Sequence, residues 1–380
     1  MKKIAIIGVT GSIGRQAVDI IRKSGNSYSI SLISAHSNLS GLISLASEFH
    51  VPNVCYTGSE TFSSEDLSYP CRVFTGEGAL VKAAEESSYD VFLNSVVGIA
   101  SLEPTIAAMK KGARIALSNK EMLVCAGELV MSLAKKLSAE IIPVDSEHSA
   151  LFQCLQAGKK EEVESLIITS SGGAFRDVPL DKIDSLDPSV ALSHPNWNMG
   201  KKITVDCATM VNKGFEVIEA MHLFDMPIEK IETVIHRESI VHSMVRYVDG
   251  SVVAQLANPD MRLPIAYAFS YPDRVKTPVS KLPLDLNLSF KPVDFARYPA
   301  FAVAVEAAKK GGLYGASYMA ADDVLVPLYL AGKIGYFDLA RVLEKVVSHF
   351  NGIGGTYALS DVFNINAEAR KYTLQAVGEL

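Results

Sequence analysis

The segment from residue 8 to residue 14 constrains the fold of this chain more than any other part of the sequence. Gly8, Gly11 and Gly14 recur every third residue, directly after the apolar run 3–7 and directly before the helical stretch 15–23. Glycines at such a turn let backbone N–H groups approach the pyrophosphate of a dinucleotide at the positive end of the helix. Glycine also serves ordinary turns, but a place after the first strand of a strand–helix series favours the cofactor interpretation. We therefore expect cofactor contacts from Gly8, Thr10, Gly11, Ser12 and Ile13.

Short apolar runs alternate with helical stretches through the first 146 residues. This rhythm indicates right-handed βαβ units and therefore a parallel sheet with helices on both faces. The predicted fold class is α/β, with a Rossmann-type, doubly wound dinucleotide-binding domain at residues 1–146. The predicted strands are 3–7, 29–34, 51–56, 91–94, 114–117 and 140–144.

The rest of the chain changes character twice. Residues 147–271 contain strand-like runs and a hairpin turn signal, which predict an α+β catalytic domain. Prolines recur through 272–299 and predict a linker, and the helical pattern of 300–380 predicts a small C-terminal helical bundle. The predicted strands of the second domain are 165–169, 234–235, 243–247 and 252–256, and the predicted helices after the linker are 300–310, 319–330, 337–350 and 366–377.

Composition argues against several classes of protein. A net charge of -6 over 380 residues, without a long Lys/Arg cluster, argues against nucleic acid as a partner. Membrane insertion is not expected, since no apolar stretch reaches the roughly 18 residues that span a bilayer. The five cysteines are scattered singly, which argues against a disulfide framework or a thiolate metal site and favours the cytoplasm.

The residues after the second predicted strand indicate which dinucleotide binds. A carboxylate at this point would bind the ribose 2′-hydroxyl of NAD. The sequence has His36, Ser37 and Asn38 instead, with no acidic residue to repel a 2′-phosphate and no arginine to pair with one. NADPH is therefore the favoured cofactor.

Polar clusters follow two later strands, at the strand ends where open parallel sheets bind their ligands. One cluster is 118–121 and the other is 145–148. Asp145 and Glu147 lie two residues apart, on the same side of an extended segment, where their hard oxygen atoms can chelate Mg²⁺ or Mn²⁺. A helix N-cap explains the same two residues equally well.

A third cluster lies at 205–216 and favours the metal interpretation. Asn212 and Glu216 are four residues apart, and Lys213 and Glu216 are three apart, so an amide, an amine and a carboxylate share one helix face. A surface salt bridge would also explain Lys213 with Glu216.

Two loops fit the binding of a phosphorylated substrate. The loop at about 191–202 carries the only tryptophan of the chain and fits a lid that closes over a substrate, although that tryptophan would equally anchor the loop to the core. At 169–173, hydroxyl side chains and two glycines follow an apolar run, which fits a phosphate-binding nest or a simple turn.

A series of ordered motifs resembles the 1-deoxy-D-xylulose 5-phosphate reductoisomerase family over nearly the whole chain. The family rearranges and reduces this substrate to 2-C-methyl-D-erythritol 4-phosphate, on a route to isoprenoids, with NADPH and a divalent metal. The motifs are GVTGSIG at 8–14, SNKE at 118–121, PVDSEH at 143–148, SGG at 171–173, HPNW at 194–197, MVNKGFE at 210–216 and IVHSMV at 240–245.

The resemblance implies a role for each of these residues in the reaction, and it also implies a homodimer. The metal, Mg²⁺, Mn²⁺ or Co²⁺, would be bound by Asp145, Glu147 and Glu216. NADPH would contact residues 8–13 and 36–38 and, in addition, Asn119, Glu121 and Gly200. The phosphorylated sugar would contact Lys120, Ser146, Glu147, Ser171, His194, Trp197, Cys207, Asn212, Lys213 and Glu216. The catalytic residues would be Lys120, Glu147 and His194.

The implied reaction has two steps. A Lewis-acidic metal serves the rearrangement, and NADPH then reduces the resulting aldehyde while Lys120 stabilises the developing negative charge. One position departs from the family, because Cys207 stands where a serine usually donates to the phosphate, and a thiol is a weaker donor. The alternative functions are another NADP-dependent Rossmann dehydrogenase acting on an aldehyde, and a non-catalytic NADP-binding sensor.

Overall fold

Strands and helices alternate along the first part of the chain, as the sequence predicts. The structure, a computed structural model, describes residues 1–197 and 199–380. The strands are β1 (Lys2–Ile7), β2 (Tyr28–Ala35), β3 (Asn53–Tyr56), β4 (Arg72–Thr75), β5 (Val91–Asn94), β6 (Arg114–Leu117), β7 (Ile141–Pro143), β8 (Val163–Ser170), β9 (Ile231–Ile235), β10 (Val241–Tyr247), β11 (Val252–Leu256) and β12 (Lys291–Pro292). The α-helices are α1 (Ser12–Arg22), α2 (Leu39–Phe49), α3 (Ala79–Glu86), α4 (Leu102–Lys110), α5 (Glu121–Leu137), α6 (Ser146–Cys154), α7 (Lys201–Ala208), α8 (Val211–Leu223), α9 (Arg262–Ser270), α10 (Pro299–Lys310), α11 (Tyr314–Leu330), α12 (Tyr336–His349) and α13 (Leu359–Val377).

The described residues divide into two compact units whose limits differ from the predicted domain boundaries. The first unit comprises Met1–Asn119, Ser132–Ser149 and Asp260–Ser280, and the second comprises Lys120–Met131, Ala150–Pro259 and Lys281–Leu380. Helix α9 joins the first unit because it packs against α1, β6 and β7. The C-terminal helices join the second unit because α10 packs against α8. The predicted linker contributes β12, which pairs with β9.

A parallel seven-stranded sheet organises the first unit, in the order β4-β3-β2-β1-β5-β6-β7. The central strand β1 is fully buried from Ile4 to Ile7, as expected for a parallel strand covered on both faces. The strand order reverses direction between β1 and β5, and ligands of open α/β sheets bind at the carboxyl ends of strands at such a point. The sequence pattern does not predict β4, a short edge strand in which only Phe74 is buried.

A mixed five-stranded sheet organises the second unit, in the order β11-β10-β8-β9-β12. Strands β8 and β9 run parallel, whereas the other pairs are antiparallel. The predicted hairpin joins β10 to β11, with Tyr247 N donating to Ser251 O at 2.9 Å. Leu166 and Ile168 of the sheet share one hydrophobic core with Val217 of α8 and Phe301 of α10.

Helices α8 and α10 approach each other closely at Gly214. A Cβ atom on Gly214 would lie 2.3 Å from the Cβ of Ala304, so a larger residue at 214 would separate the two helices. The architecture confirms the predicted fold class: a Rossmann-type parallel sheet, an α+β part and a C-terminal helical region. Among the described residues, none of the helices is both long and apolar enough to cross a bilayer.

Candidate active site

The phosphate loop connects β1 to α1 at the point where the strand order reverses. Gly8 adopts a φ of 81°, and a Cβ on it would lie 2.8 Å from the carbonyl oxygen of Ser95, which follows β5. A Cβ on Gly14 would lie 2.5 Å from Gly8 O and from the Cα of Val9. The first glycine therefore permits the turn, and the third permits the close packing of α1 on it.

The start of α1 offers a site for an anion. Gly11 is the N-cap residue, Ser12 begins the helix, both are exposed, and the first turn contains no acidic side chain. The free N–H groups and the helix dipole at such a terminus attract a phosphate. At the end of β2, His36 and Ser37 are exposed and no carboxylate occurs before α2. These residues fit NADPH, as the sequence predicts.

Asn38 and Asn119, two other predicted cofactor residues, also have structural roles. The Asn38 Oδ1 accepts the N–H of Gly41 at 2.9 Å and so caps α2. The Asn119 Nδ2 donates to Gly98 O and to Ser101 Oγ, both at 2.8 Å, and thereby fixes the loop after β5.

Asp145 and Glu147 lie where β7 gives way to α6. The Asp145 Oδ1 accepts the N–H of Glu147 at 3.1 Å, so the helix N-cap interpretation is correct for this oxygen. The same oxygen lies 3.0 Å from His148 Nδ1, a contact that orients the carboxylate. Each of the two carboxylates nevertheless offers an oxygen within 4.8 Å of the other. This hard oxygen pair fits Mg²⁺ or Mn²⁺. The intervening Ser146 donates to Glu147 through its hydroxyl.

A buried polar cluster joins the start of α5 to α8. The Lys120 Nζ donates to Asn212 Oδ1 and to Glu216 Oε1, both at 2.9 Å. Asn212 Nδ2 also donates to Glu216 Oε1, at 2.6 Å, and Lys213 forms an ion pair with the other Glu216 oxygen. The side chains of Lys213 and Glu216 are only 5% and 2% exposed, so the surface salt bridge alternative is wrong. Two ammonium groups thus share one carboxylate inside the protein.

His194 and Ser171 are hydrogen-bonded in the structure. The His194 Nδ1 accepts the backbone N–H groups of Asn196 and Trp197, at 3.1 and 2.9 Å. Since Nδ1 is an acceptor, the neutral ring carries its proton on Nε2, which lies 3.1 Å from Ser171 Oγ. Burial, together with the positive charges of Arg176 and Lys213, lowers the pKa of His194 to about 4.

The loop after β8 differs in detail from the predicted phosphate nest. The hydroxyls of Ser170 and Ser171 accept the N–H groups of Gly172 and Gly173, each at 3.2 Å. These N–H groups are therefore used within the loop. The loop offers side-chain hydroxyls rather than a row of open backbone donors.

Three predicted site residues lie near the ends of α7 or at the start of α5. Gly200 is the N-cap residue of α7, and Glu121 begins α5. Cys207, near the end of α7, lies within the electrostatic influence of Glu216, Lys120 and Lys213. Burial raises the pKa of this thiol well above its ordinary value, so Cys207 stays protonated. A neutral, half-buried thiol does not suit the nucleophile of an acylating aldehyde dehydrogenase.

Sequence reasoning missed Arg176 and the role of Asn196. Arg176 Nη1 donates to the carbonyl oxygens of Ser171 and Arg237, both at 3.1 Å, which places a cation beside the Ser171 loop. Asn196 Nδ2 donates to Arg237 O at 2.8 Å and to Ser239 Oγ at 2.6 Å. A basic residue soon after the serine–glycine motif is the one available signal for Arg176, whereas the partners of Asn196 are too distant in sequence to be read from it. The neighbouring residue 198 lies outside the described residues.

Comparisons with known proteins agree over the whole chain. Family models match three segments: 1-deoxy-D-xylulose 5-phosphate reductoisomerase at residues 4–127, its C-terminal domain at 141–224, and the DXP reductoisomerase C-terminal domain at 256–372. The 1-deoxy-D-xylulose 5-phosphate reductoisomerase of Macrococcus caseolyticus is 44% identical over 98% of this chain and 100% of its own length. That of Geobacillus kaustophilus is 44% identical over 98% of both chains.

Solved structures agree as well. The enzyme from Zymomonas mobilis in complex with NADPH is 36% identical and superposes with a TM-score of 0.93, covering all of both chains. A DOX-P reductoisomerase in complex with NADPH, fosmidomycin and magnesium is 36% identical, with a TM-score of 0.92 over 100% of this chain and 98% of that one. These matches favour neither the dehydrogenase nor the sensor alternative. From its sequence motifs, its fold and these relatives, the chain belongs to the 1-deoxy-D-xylulose 5-phosphate reductoisomerase family.

Proposed function

We propose that this chain converts 1-deoxy-D-xylulose 5-phosphate to 2-C-methyl-D-erythritol 4-phosphate through the residues predicted from its sequence. The observation that carries the assignment is the buried cluster of Lys120, Asn212, Lys213 and Glu216. Buried charges are costly unless they are paired, and they concentrate at functional sites. Two ammonium groups and an amide held together away from water are suited to an anionic, hydroxylated substrate.

The proposed metal ligands are Asp145, Glu147 and Glu216. Support comes from the facing oxygens of the first two residues and from the third carboxylate, which the sequence places in the same family motif set. When bound, the divalent ion supplies Lewis acidity for the rearrangement and NADPH supplies the reducing equivalent. Mg²⁺, Mn²⁺ and Co²⁺ all suit such a site.

The proposed phosphate-binding residues are Ser171, Asn212 and Lys213. His194 contributes through Ser171: its Nε2–H donates to the Ser171 oxygen, so the serine hydroxyl proton remains available for a phosphate oxygen. Lys120 lies across the cluster from Lys213 and contributes a fixed positive charge for the oxygen that becomes negative during reduction. Binding of the remote phosphate orients the reacting carbons.

The loop at about 191–202 is proposed to cover the substrate. His194 holds the backbone of Asn196 and Trp197 in a tight turn, and the Trp197 ring centroid lies 6.3 Å from that of His242. An indole ring in this position excludes water from the substrate and strengthens the electrostatic interactions beneath it.

The deciding experiment measures oxidation of NADPH by its absorbance with 1-deoxy-D-xylulose 5-phosphate and Mn²⁺. We expect substrate-dependent oxidation that a chelator abolishes and that added Mn²⁺ restores. Absence of turnover, or turnover that the chelator does not affect, would contradict the proposal.

We also propose a cytoplasmic homodimer, the assembly implied by the family resemblance. All five cysteines are free thiols, which suits a reducing compartment. Light scattering is expected to give twice the mass of one chain, and a single-chain mass at micromolar concentration would contradict the dimer.

A further inference from the structure

A second buried charge cluster lies between α7 and α11, where the loop at about 191–202 runs into α7. Lys202 Nζ lies 2.8 Å from Asp206 Oδ2, one turn along α7, and 2.6 Å from Asp322 Oδ2 on α11. A third carboxylate oxygen, from Asp323, lies 3.5 Å from the same nitrogen. Asp206 and Asp322 are 3% and 0% exposed, so both carboxyl groups are removed from water.

The buried aspartates each retain an oxygen without a hydrogen-bond donor. Lys202 Nζ donates to Asp206 Oδ2 and to Asp322 Oδ2, and among the described residues no donor reaches Oδ1 of Asp206 or of Asp322. The two carboxyl groups are nevertheless neighbours, because Oδ2 of Asp206 and Oδ2 of Asp322 bind the same Lys202 nitrogen, at 2.8 and 2.6 Å. A buried acceptor without a donor is costly, and one proton held between the two groups would satisfy both.

The charges around the pair lead to the same conclusion. Lys202 and Arg370, which pairs with Asp323, supply two positive charges against three carboxylates. Glu121 adds a fourth acidic group nearby, and burial raises its pKa. The Tyr318 hydroxyl donates to Ala300 O at 2.9 Å and so is not the missing donor.

Burial raises the pKa of Asp206 well above its usual range, and the charge of Asp322 adds to the effect. Burial likewise raises the pKa of Asp322, against the lowering effect of Lys202. Desolvation alone would lower the pKa of Lys202, but Asp206, Asp322 and Asp323 together raise it well above its usual value. Two like charges this close do not ionise together readily, as in other carboxyl pairs that hold one proton.

The position of the pair connects it to the loop. Gly200 O accepts both the N–H and the hydroxyl of Thr204, at 3.1 and 2.8 Å, so the loop runs directly into the first turn of α7. The short helical segment Pro188–Leu192 at the other end of the loop packs against both α7 and α11. The contact between α7 and α11 therefore fixes both ends of the loop.

We propose that Asp206 and Asp322 share one proton, and that this acid–carboxylate pair holds Lys202 and thereby positions the loop carrying His194 and Trp197. Asp206, Asp322 and Lys202 are positioning residues, since none of the three is among the proposed substrate, cofactor or metal contacts. The effect on catalysis rests on the proposed role of the loop over the substrate.

The test for the shared proton uses infrared spectroscopy of protein with ¹³C-labelled aspartate. At neutral pH we expect one isotope-shifted band from a protonated aspartic acid in the wild-type protein, because ordinary aspartates are ionised. The band is expected to disappear in Asp322→Asn and to persist in the matched control Asp323→Asn. Absence of the band from the wild-type protein, or its persistence in Asp322→Asn, would overturn the shared proton.

The test for positioning uses Trp197, the only tryptophan, whose fluorescence reports on the loop without any turnover. Asp206→Asn and Asp322→Asn each replace one acid by a neutral amide of the same shape and leave a carboxylate for Lys202. We expect Trp197 to remain as protected from acrylamide as in the wild-type protein in both single variants, and to lose protection in the double variant. The proposal would be overturned if the double variant protected Trp197 as well as the wild-type protein does. It would also be overturned if each single variant lost half as much protection as the double variant.

Kinetics separate this proposal from the proposed function. In the double variant we expect KM for the substrate to rise about tenfold while kcat and NADPH affinity change much less, as for a group that acts through the loop. A wild-type protein without turnover would contradict the proposed function and leave the infrared and fluorescence tests intact. If the double variant does not fold, the infrared band still tests the shared proton, and the protection of Trp197 in the single variants still tests the positioning of the loop.

Discussion

Glu216 is the residue on which the proposed reaction depends most directly. Its carboxylate lies between Lys120 and Lys213 and is the proposed third metal ligand. Glu216→Gln removes the negative charge without changing the shape, so we expect kcat to fall by at least about a thousandfold, which is typical of losing an electrostatic group in the active site. NADPH affinity, measured by fluorescence titration, should remain nearly unchanged.

The matched control for this substitution is Glu229→Gln, which changes an exposed carboxylate of the same unit. We expect no effect on kcat from the control. If Glu216→Gln weakened NADPH binding as much as it lowered kcat, Glu216 would belong to the cofactor site rather than to the metal site.

Cys207 tests how much a single donor contributes to phosphate binding. The charges of Lys120 and Lys213 both act on it, and a thiol donates weakly where the family usually has a hydroxyl. Cys207→Ser should lower KM for the substrate by about three- to tenfold, because exchanging a weak donor for an ordinary one gains about 1 kcal/mol of hydrogen bonding. Steady-state kinetics check this. An unchanged KM would mean that a water or a backbone N–H already supplies the missing donor.

The lowered pKa of His194 predicts that the fluorescence of Trp197 changes at an unusually low pH. Because the pKa of His194 is lowered to about 4, from an ordinary 6.5, the ring stays neutral down to weakly acidic pH. Its stabilising contribution is fully present above pH 6.5 and is lost as the pH falls through 4, when protonated Nδ1 can no longer accept the N–H groups of Asn196 and Trp197. Trp197 fluorescence should therefore change near pH 4. His194→Gln should lack this transition, and a transition near pH 6.5 would contradict the assignment.

The residues of the candidate site differ in how far the sequence could reveal them. Asn212, Lys213 and Glu216 are predictable because helical spacing places them on one face, and the structure brings them together with Lys120. The Asp206–Asp322 pair is not predictable, because its members are more than a hundred positions apart and meet only through the packing of α7 on α11.

At the scale of secondary structure elements, the geometry of the β1–α1 turn predicts that its glycines differ in how well they tolerate a side chain. A Cβ on Gly14 would lie 2.5 Å from backbone atoms that cannot move aside, whereas a Cβ on Gly11 would meet only Gly8 O, at 3.2 Å. Gly14→Ala should therefore reduce the free energy of unfolding by about 1–3 kcal/mol, the usual cost of overpacking. The control Gly11→Ala should cost less than about 1 kcal/mol, as expected for an N-cap glycine. Denaturant titration of both variants checks this, and equal losses would contradict it.

The predicted elements fail mainly at edges and at helix starts. Strands β4 and β12 are short edge strands. The recurring prolines of 272–299 predict a linker around β12, but an edge strand tolerates proline. Helices α11 and α13 begin at Tyr314 and Leu359, several residues before the predicted starts. The start of α11 has no side-chain cap, and at the start of α13 only Asp361 contributes, by accepting the N–H of Ala358 at 2.8 Å, so neither start carries the usual Ser, Thr, Asp or Asn signal at the N-cap position.

At the scale of the whole molecule, the two compact units interleave along the chain more than the composition suggests. The prolines of 272–299 mark a change of pattern, but α9 returns to the parallel sheet before them, and the C-terminal helices share a core with the mixed sheet. The two units are defined by contacts between segments that are distant in sequence. The positions of prolines do not indicate such contacts.

This division predicts where each ligand slows amide hydrogen exchange. The proposed cofactor contacts at 8–13 and 36–38 belong to the first unit, whereas the proposed substrate contacts at 171–173 and 193–197 belong to the second. NADPH alone should slow exchange in the first pair of segments, and substrate with Mn²⁺ but without NADPH should slow exchange in the second pair. Helix α12 provides an internal reference, because no proposed contact lies in it. Protection of 193–197 by NADPH alone, equal to that given by substrate, would show that the loop closes on the cofactor and would contradict its assignment to the substrate.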